Sequence, residues 1–203
     1  VLEKTSSIAG VYRLPDRCPF CFTGIVQEGA HLFCPNRDCP EGKKRQLIHF
    51  CRRDGMDIET LGEKTLTFLF DRGFVRDIPD LYEFDFNQLL GCEGFQEKKV
   101  QNIIRSLRRS KEQPFERVLL ALGFENMGRK VISLLIDRGY DDVDKIIEAS
   151  RQKDVAGLAD IDGIGEHTAR LIIRQFSDPV HLARITRLKK LGLEFARRSY
   201  TAR

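Results

Sequence analysis

The sequence predicts a mainly α-helical chain: a small four-cysteine ribbon, then four helix-hairpin-helix motifs arranged as two pairs. Three observations predict it. Four of the six cysteines fall close together, as Cys18, Cys21, Cys34 and Cys39. From Ile48 onward, short apolar-periodic segments are broken by glycine, with almost none of the alternation that marks strands. One short phrase then recurs as Leu61-Gly62-Glu63-Lys64, Phe95-Gln96-Glu97-Lys98, Met127-Gly128-Arg129-Lys130 and Ile164-Gly165-Glu166-His167, each copy ahead of an apolar helix and 32 to 37 residues from the next.

The ribbon comes first in the chain. Cys18-Pro19-Phe20-Cys21 is followed by twelve residues and then by Cys34-Pro35-Asn36-Arg37-Asp38-Cys39, so two thiol pairs are separated by a loop able to turn back on itself. Clustering of this kind points to a metal and away from a disulfide framework. Four thiolates with no vacant position describe a structural Zn²⁺ site, because a catalytic zinc keeps a place open for water or substrate. Gly24 to Phe33, with Ile25, Val26, Leu32 and Phe33 around a Glu28-Gly29 turn, reads as a small hairpin joining the two knuckles. The alternative is unligated cysteines or a redox pair. His31 is expected at the surface, since four sulfurs already fill the shell. Cys51 and Cys92 lie in apolar periodic stretches and are expected as small buried hydrophobes.

The repeat has a longer period as well. Asp71-Arg72-Gly73-Phe74 returns as Asp137-Arg138-Gly139-Tyr140, 66 residues later, the offset that also separates Gly62 from Gly128. The helical region is therefore two paired units, 47–112 and 113–203, after a four-cysteine finger at 18–46, with Pro114 stopping a helix between the pairs. A helix, a tight glycine turn and a second helix make a phosphate-binding hairpin. Glycine allows close backbone approach, and the second helix offers unpaired N–H groups and the positive end of its dipole. Two such hairpins can straddle the two strands of a duplex without reading its bases. The expected contacts are Gly62 and Lys64, Gly94 and Lys98, Gly128 and Lys130, and Gly163, Gly165 and His167. The fourth turn, Gly163-Ile164-Gly165, is complete, whereas Thr60 and Asn126 lead the first and third. Hairpin 2 keeps Gly94 but has Gln96 in place of the other glycine; a positive φ there would strain glutamine, so a weaker grip is expected at that hairpin. The competing explanation is that the glycines only let helices pack.

Composition adds less. The chain of 203 residues is 41% hydrophobic and 32% charged, enough apolar material for one ordinary domain or two small ones, and its net charge is only +4. Basic residues nonetheless gather at Lys43, Lys44, Arg45, Arg52 and Arg53, at Arg105, Arg108, Arg109 and Lys111, and at Arg184, Arg187, Lys189, Lys190, Arg197 and Arg198. Any one cluster alone reads more readily as a solvated helix face. No run of eighteen apolar residues is present, and Val1-Leu2-Glu3-Lys4 offers neither an initiator methionine nor a signal sequence. A cytoplasmic, soluble piece of something longer is expected, without membrane contact.

Taken together, the four-cysteine finger, Leu47-Ile48-His49-Phe50, and Met56 through Lys64 resemble bacterial NAD⁺-dependent DNA ligase. Ala121-Leu122-Gly123-Phe124 and Ile161-Asp162-Gly163-Ile164-Gly165 continue the resemblance, which spans about Cys18 to Phe195. It implies that residues 1–17 are the tail end of a preceding OB-fold (oligonucleotide-binding barrel) domain and that the finger is a structural joint. It also implies that the hairpins grip the minor-groove side of nicked double-stranded DNA during nick sealing in replication and repair. In that family adenylate passes from NAD⁺ to a lysine in a Lys-x-Asp-Gly motif and then to the 5′-phosphate of the nick. That motif is absent from this chain, as are sequences for the nicotinamide-binding and BRCT domains. NAD⁺ and Mg²⁺ would accordingly bind outside the chain, which alone would be inactive, with no catalytic residue of its own. The remaining ligase domains would be its partners in cis, and a monomer is expected. The departures from the family pattern are Gln96 and the His167 that replaces lysine. Two rival readings stand beside this one: a stand-alone, non-enzymatic hairpin module that recruits a repair factor to DNA, and a protein-interaction scaffold.

Overall fold

A computed structural model describes residues 15–29 and 31–197. Arg198 and nearly all of the expected barrel tail, 1–14, lie outside the described residues. The chain divides into two compact units, with the boundary between Lys43 and Lys44.

In the first unit the polypeptide has little to bury. β1 (Val26–Glu28) and β2 (His31–Phe33) pair antiparallel, with Val26 opposite Phe33 and Glu28 opposite His31, in the hairpin that the Gly29 turn predicts. Arg17 and Gly24 add an isolated antiparallel bridge. Phe20, Phe22, Leu32 and Phe33 all remain exposed, so hydrophobic burial does not hold this unit together. A segment this short and this poorly buried needs a crosslink. α1 (Pro40–Cys51) then carries the chain into the second unit.

The second unit is helical throughout. Its helices are α2 (Glu63–Asp71), α3 (Asp80–Glu83), α4 (Glu97–Ser110), α5 (Phe115–Leu122), α6 (Arg129–Asp137), α7 (Val143–Arg151), α8 (Val155–Ala159), α9 (Glu166–Phe176) and α10 (Pro179–Lys190), with a 3₁₀ turn at Phe86–Leu89. Apolar residues at helical spacing turn inward along each: Leu66, Leu69 and Phe70 on α2, Val100, Ile103 and Leu107 on α4, Ile132, Leu135 and Ile136 on α6. They join one core that runs from Leu47 to Phe195, so the described residues of the stretches 47–112 and 113–203 belong to a single compact body. α9 packs against α7 and α8, α5 against α6, and α4 against the 3₁₀ turn. Cys51 is buried in this core, while Cys92 is half-buried against it.

The 66-residue duplication has a structural meaning at the ends of α2 and α6. Gly73 donates to the Phe70 carbonyl and Phe74 to that of Leu69; Gly139 donates to Ile136 and Tyr140 to Leu135. Both are Schellman caps, with a left-handed glycine closing the helix and an aromatic residue following it. The Asp-Arg-Gly-aromatic phrase is therefore a helix stop written twice. No helix among the described residues is long and apolar enough to cross a membrane.

Candidate metal centre and nucleic-acid interface

Two tight turns build the cysteine cluster. Cys18 donates to the Thr23 carbonyl and accepts from Phe22 N–H, closing a knuckle in which Phe22 takes φ +60°. Across the hairpin, Cys39 N–H reaches the Asn36 carbonyl while the Asn36 side chain accepts from Asp38 N–H, and α1 starts directly afterwards. The four sulfurs consequently lie within 4.8 Å of one another, with Cys18 and Cys39 at 3.9 Å and Cys21 and Cys34 at 3.4 Å. Four thiolates placed tetrahedrally about 2.3 Å from one zinc-sized ion would stand about 3.8 Å apart. The spacing fits a metal and is too long for a disulfide. Thr23 Oγ1, 3.4 Å from Cys21 Sγ, and the Thr23 backbone bring that thiol down to about 6. Against a hydrogen bond from the Asn36 backbone that favours its thiolate, Cys34 is pushed up to about 12 by desolvation and by Cys21 and Cys18 beside it. Cys21 therefore ionises readily while Cys34 and Cys39, crowded by neighbouring sulfurs, resist, and a cation among them would favour their thiolates. These four residues can hold a metal ion. His31 is exposed and is not among them, as expected of a surface residue.

All four glycine phrases form the same hairpin. The apolar residue of each phrase donates back across the turn, Leu61 to Ile58, Phe95 to Cys92, Met127 to Phe124 and Ile164 to Ile161. Leu61, Phe95, Met127 and Ile164 are all buried, and the three residues after each are exposed. Gly62, Gln96, Gly128 and Gly165 are then the N-caps of α2, α4, α6 and α9, and none of the four helices has a side-chain cap. By contrast, the side chains of Asp142, Asp154 and Asp178 cap α7, α8 and α10. The hairpin helices thus keep their first N–H groups open at the surface. Lys64, Lys98 and Lys130 stand beside these ends, exposed and in no ion pair with any described residue. His167 is likewise exposed at the start of α9.

The dihedral angles correct the expectation about Gln96. It lies at φ −72°, close to Gly62 at −71°, Gly128 at −74° and Gly165 at −75°, so its side chain meets no backbone strain. The reason is position: the cap is extended, and the left-handed residue comes two earlier. Gly94 (+78°), Asn126 (+56°) and Gly163 (+89°) fill that place in hairpins 2, 3 and 4, while in hairpin 1 the left-handed residue is Asp57 at +55°. A Cβ on Gly163 would also come within 3.0 Å of Leu134. The fold therefore accounts for Gly94 and Gly163. It does not account for Gly62, Gly128 and Gly165, where an added Cβ would meet nothing within 4 Å and φ suits any residue. Helix packing does not explain these three.

Two features escaped the sequence reading. Arg129 occupies the first position of α6, where Glu63, Glu97 and Glu166 open the other hairpin helices, so α6 alone among the four has no acid in its first turn. Its place beside Lys130 in the repeated phrase was the available signal. The C-terminal basic cluster behaves in the opposite way. Arg184 pairs with Asp77, Arg187 with Asp80 and Glu83, Lys189 with Asp144, and Arg197 with Glu116. Lys44 and Arg109 are also paired, with Asp71 and Glu59. Much of the expected basic surface is paired with carboxylates of the chain itself.

Comparison with known proteins agrees with this geometry. The family model described as SAM-like helix-hairpin-helix tandem matches residues 54–109 and 118–178, more than half of the chain. A DNA ligase of Leptospira interrogans is 41% identical over 189 residues, covering 91% of this chain and 28% of the relative. Two further DNA ligases, of Borrelia garinii subsp. bavariensis and Borrelia recurrentis, are 38% and 40% identical, each over 96% of this chain and 29% of the relative. The chain spans less than a third of the length of these relatives. With its four hairpins of one geometry falling two to each matched segment, the chain belongs to the helix-hairpin-helix tandem family.

Proposed function

We propose that this chain is the DNA-gripping segment of an NAD⁺-dependent DNA ligase, holding nicked duplex by its phosphates while other domains of the same polypeptide seal the nick in replication and repair. The observation that carries the reading is the set of four exposed helix N-termini without side-chain caps, three of them glycines that neither dihedral angle nor packing requires. Open N–H groups, a helix dipole and a flanking cation make an anion site, and a missing Cβ lets a phosphate approach the backbone. Hairpin 3 carries the strongest field, because Arg129 and Lys130 add to the dipole that Glu63, Glu97 and Glu166 offset elsewhere. At hairpin 2 the cap is Gln96 where the other hairpins have glycine, so a phosphate has less room to reach the backbone and the grip is weaker. The similarity to DNA ligases over nearly the whole chain favours this assignment over a stand-alone module or a scaffold.

In this reading the finger, 18–46, is a structural Zn²⁺ joint held by Cys18, Cys21, Cys34 and Cys39, and 47–112 and 113–203 are the two hairpin pairs. The chain acts as a monomer in the bacterial cytoplasm. NAD⁺ and Mg²⁺ bind to the ligase outside this segment. Fluorescence anisotropy with nicked duplex at several salt concentrations tests the assignment. Lys130→Ala is expected to weaken binding alike for every duplex sequence and to reduce the log–log salt slope by about 0.9, one phosphate contact. A slope near zero for the unaltered chain would exclude phosphate binding. The same preparation, given NAD⁺ and Mg²⁺, is expected to yield no joined DNA; a ligated band would refute the assignment of catalysis to other domains.

A further inference from the structure

Gln175 lies in the last turn of α9, buried to 6% exposure among apolar neighbours. An apolar side chain would satisfy that packing better, and a buried amide is tolerated only where its polar atoms are matched. Its amide is matched at both atoms. Oε1 accepts from Glu125 N–H at 2.6 Å, while Nε2 donates to the Glu125 carbonyl at 3.0 Å and to the Leu171 carbonyl at 3.1 Å. The adjacent Arg174 binds the Glu125 carboxylate at 2.8 Å. Glu125 is the middle of the turn of hairpin 3, with left-handed residues on both sides, Gly123 at +68° and Asn126 at +56°. No regular element fixes the backbone there. Both of its hydrogen-bonding groups are held by a helix about fifty residues further along the chain.

The other half of the duplication joins the corresponding elements, there through side chains alone. Arg109 of α4 pairs with Glu59 in the turn of hairpin 1, and Ser106 of α4 bonds the neighbouring Thr60 at 2.7 Å. In both halves, therefore, the turn of the first hairpin is tied to the helix that follows the second. Along α9, Gln175 stands ten residues after the Gly165 cap of hairpin 4, a rod of roughly 15 Å that carries hairpin 4 at its start and meets the turn of hairpin 3 near its end.

We propose that Gln175 is a positioning residue for DNA binding: it locks the turn of hairpin 3 so that Gly128, Arg129 and Lys130 face a phosphate in fixed relation to hairpin 4. This rests on the reading of hairpin 3 as a phosphate grip. It differs from a stabilising role in predicting coupling to one hairpin only.

The test measures nicked-duplex affinity and salt slope by anisotropy, well below the melting temperatures, for Gln175→Met, Lys130→Ala, Lys64→Ala and the doubles that pair Gln175→Met with each lysine variant. Gln175→Met is expected to lower the salt slope by about one contact, as Lys130→Ala does. The double with Lys130→Ala should match the weaker single within roughly twofold, while the losses with Lys64→Ala should multiply. Wild-type affinity and slope in a folded Gln175→Met chain, or losses that multiply with Lys130→Ala, would overturn the role of Gln175 and leave the phosphate reading standing. An unchanged slope in Lys130→Ala would overturn both. Should Gln175→Met fail to fold, Gln175→Leu carries the same comparison, since it also removes both bonds to the Glu125 backbone and adds no charge.

Discussion

An alanine at Gly128 or Gly165 would sit in extended backbone with open space before its Cβ. Two small effects then compete within the protein. Alanine is a poorer N-cap than glycine, and it lowers the entropy of the unfolded chain, so the net change in stability is expected to stay within about 1 kcal/mol. Affinity for duplex follows a different rule, because the new methyl group stands where a phosphate would reach the backbone. The Gly128→Ala, Gly165→Ala double variant is therefore expected to melt close to the parent and to bind duplex more weakly. Thermal melting and anisotropy on one preparation check this; parental affinity in the folded variant would assign these glycines no role at the interface. The same reasoning replaces the strain first expected at Gln96. Residue type revealed which positions repeat, but not which residue of the turn carries the positive φ.

At the scale of elements, the two units are held together by different forces. The helices share an apolar core, whereas β1, β2 and the knuckles leave Phe20, Phe22, Leu32 and Phe33 in solvent. A metal bound by the four cysteines would supply the folding energy that this unit lacks. Chelation, or Cys34→Ser with Cys39→Ser, is expected to unfold about residues 18 to 43 and leave the helical signal intact. Metal analysis with far-ultraviolet circular dichroism checks it, one zinc per chain before treatment and helical content unchanged after. Retention of full zinc by the double serine variant would rule out the ligand set. The paired spacing made this element readable in advance, since sequence-local turns bring each cysteine pair together.

For the whole helical unit, α10 serves as a strut. Its Arg184 forms a two-pronged contact with Asp77, side chains 13% and 32% exposed, and Arg187 reaches Asp80 and Glu83, more than a hundred residues earlier in the chain. Asp80 meanwhile accepts from Arg76 and Asp77 N–H, so the ion pairs lock onto an already ordered turn. Removing Arg184 would leave Asp77 partly desolvated without its partner, a loss of about 1–3 kcal/mol. Arg184→Ala is expected to lower the unfolding free energy from urea titration by that amount, while duplex affinity and its salt slope stay at the parental values. A reduced slope at parental stability would return the C-terminal cluster to the DNA surface.

Some of this protein was fixed by neighbours along the chain. The four-cysteine spacing, the repeated glycine phrase and the Asp-Arg-Gly phrase of the 66-residue duplication are local patterns; local backbone geometry turns the first two into the expected knuckles and hairpins, and the third into a helix cap that its repetition alone did not foretell. Charge could not be read in this way. Arg184, Arg187 and Lys189 look like Lys64 and Lys130 in sequence, yet the first three meet carboxylates brought from distant elements and the other two do not. Gln175 gave no signal either, because its partners are the backbone atoms of a turn fifty residues away, whatever side chains that turn carries. Local sequence determined which pieces form; only tertiary packing decided which charges face solvent and what holds each hairpin in place, because both depend on contacts that exist only once distant segments meet.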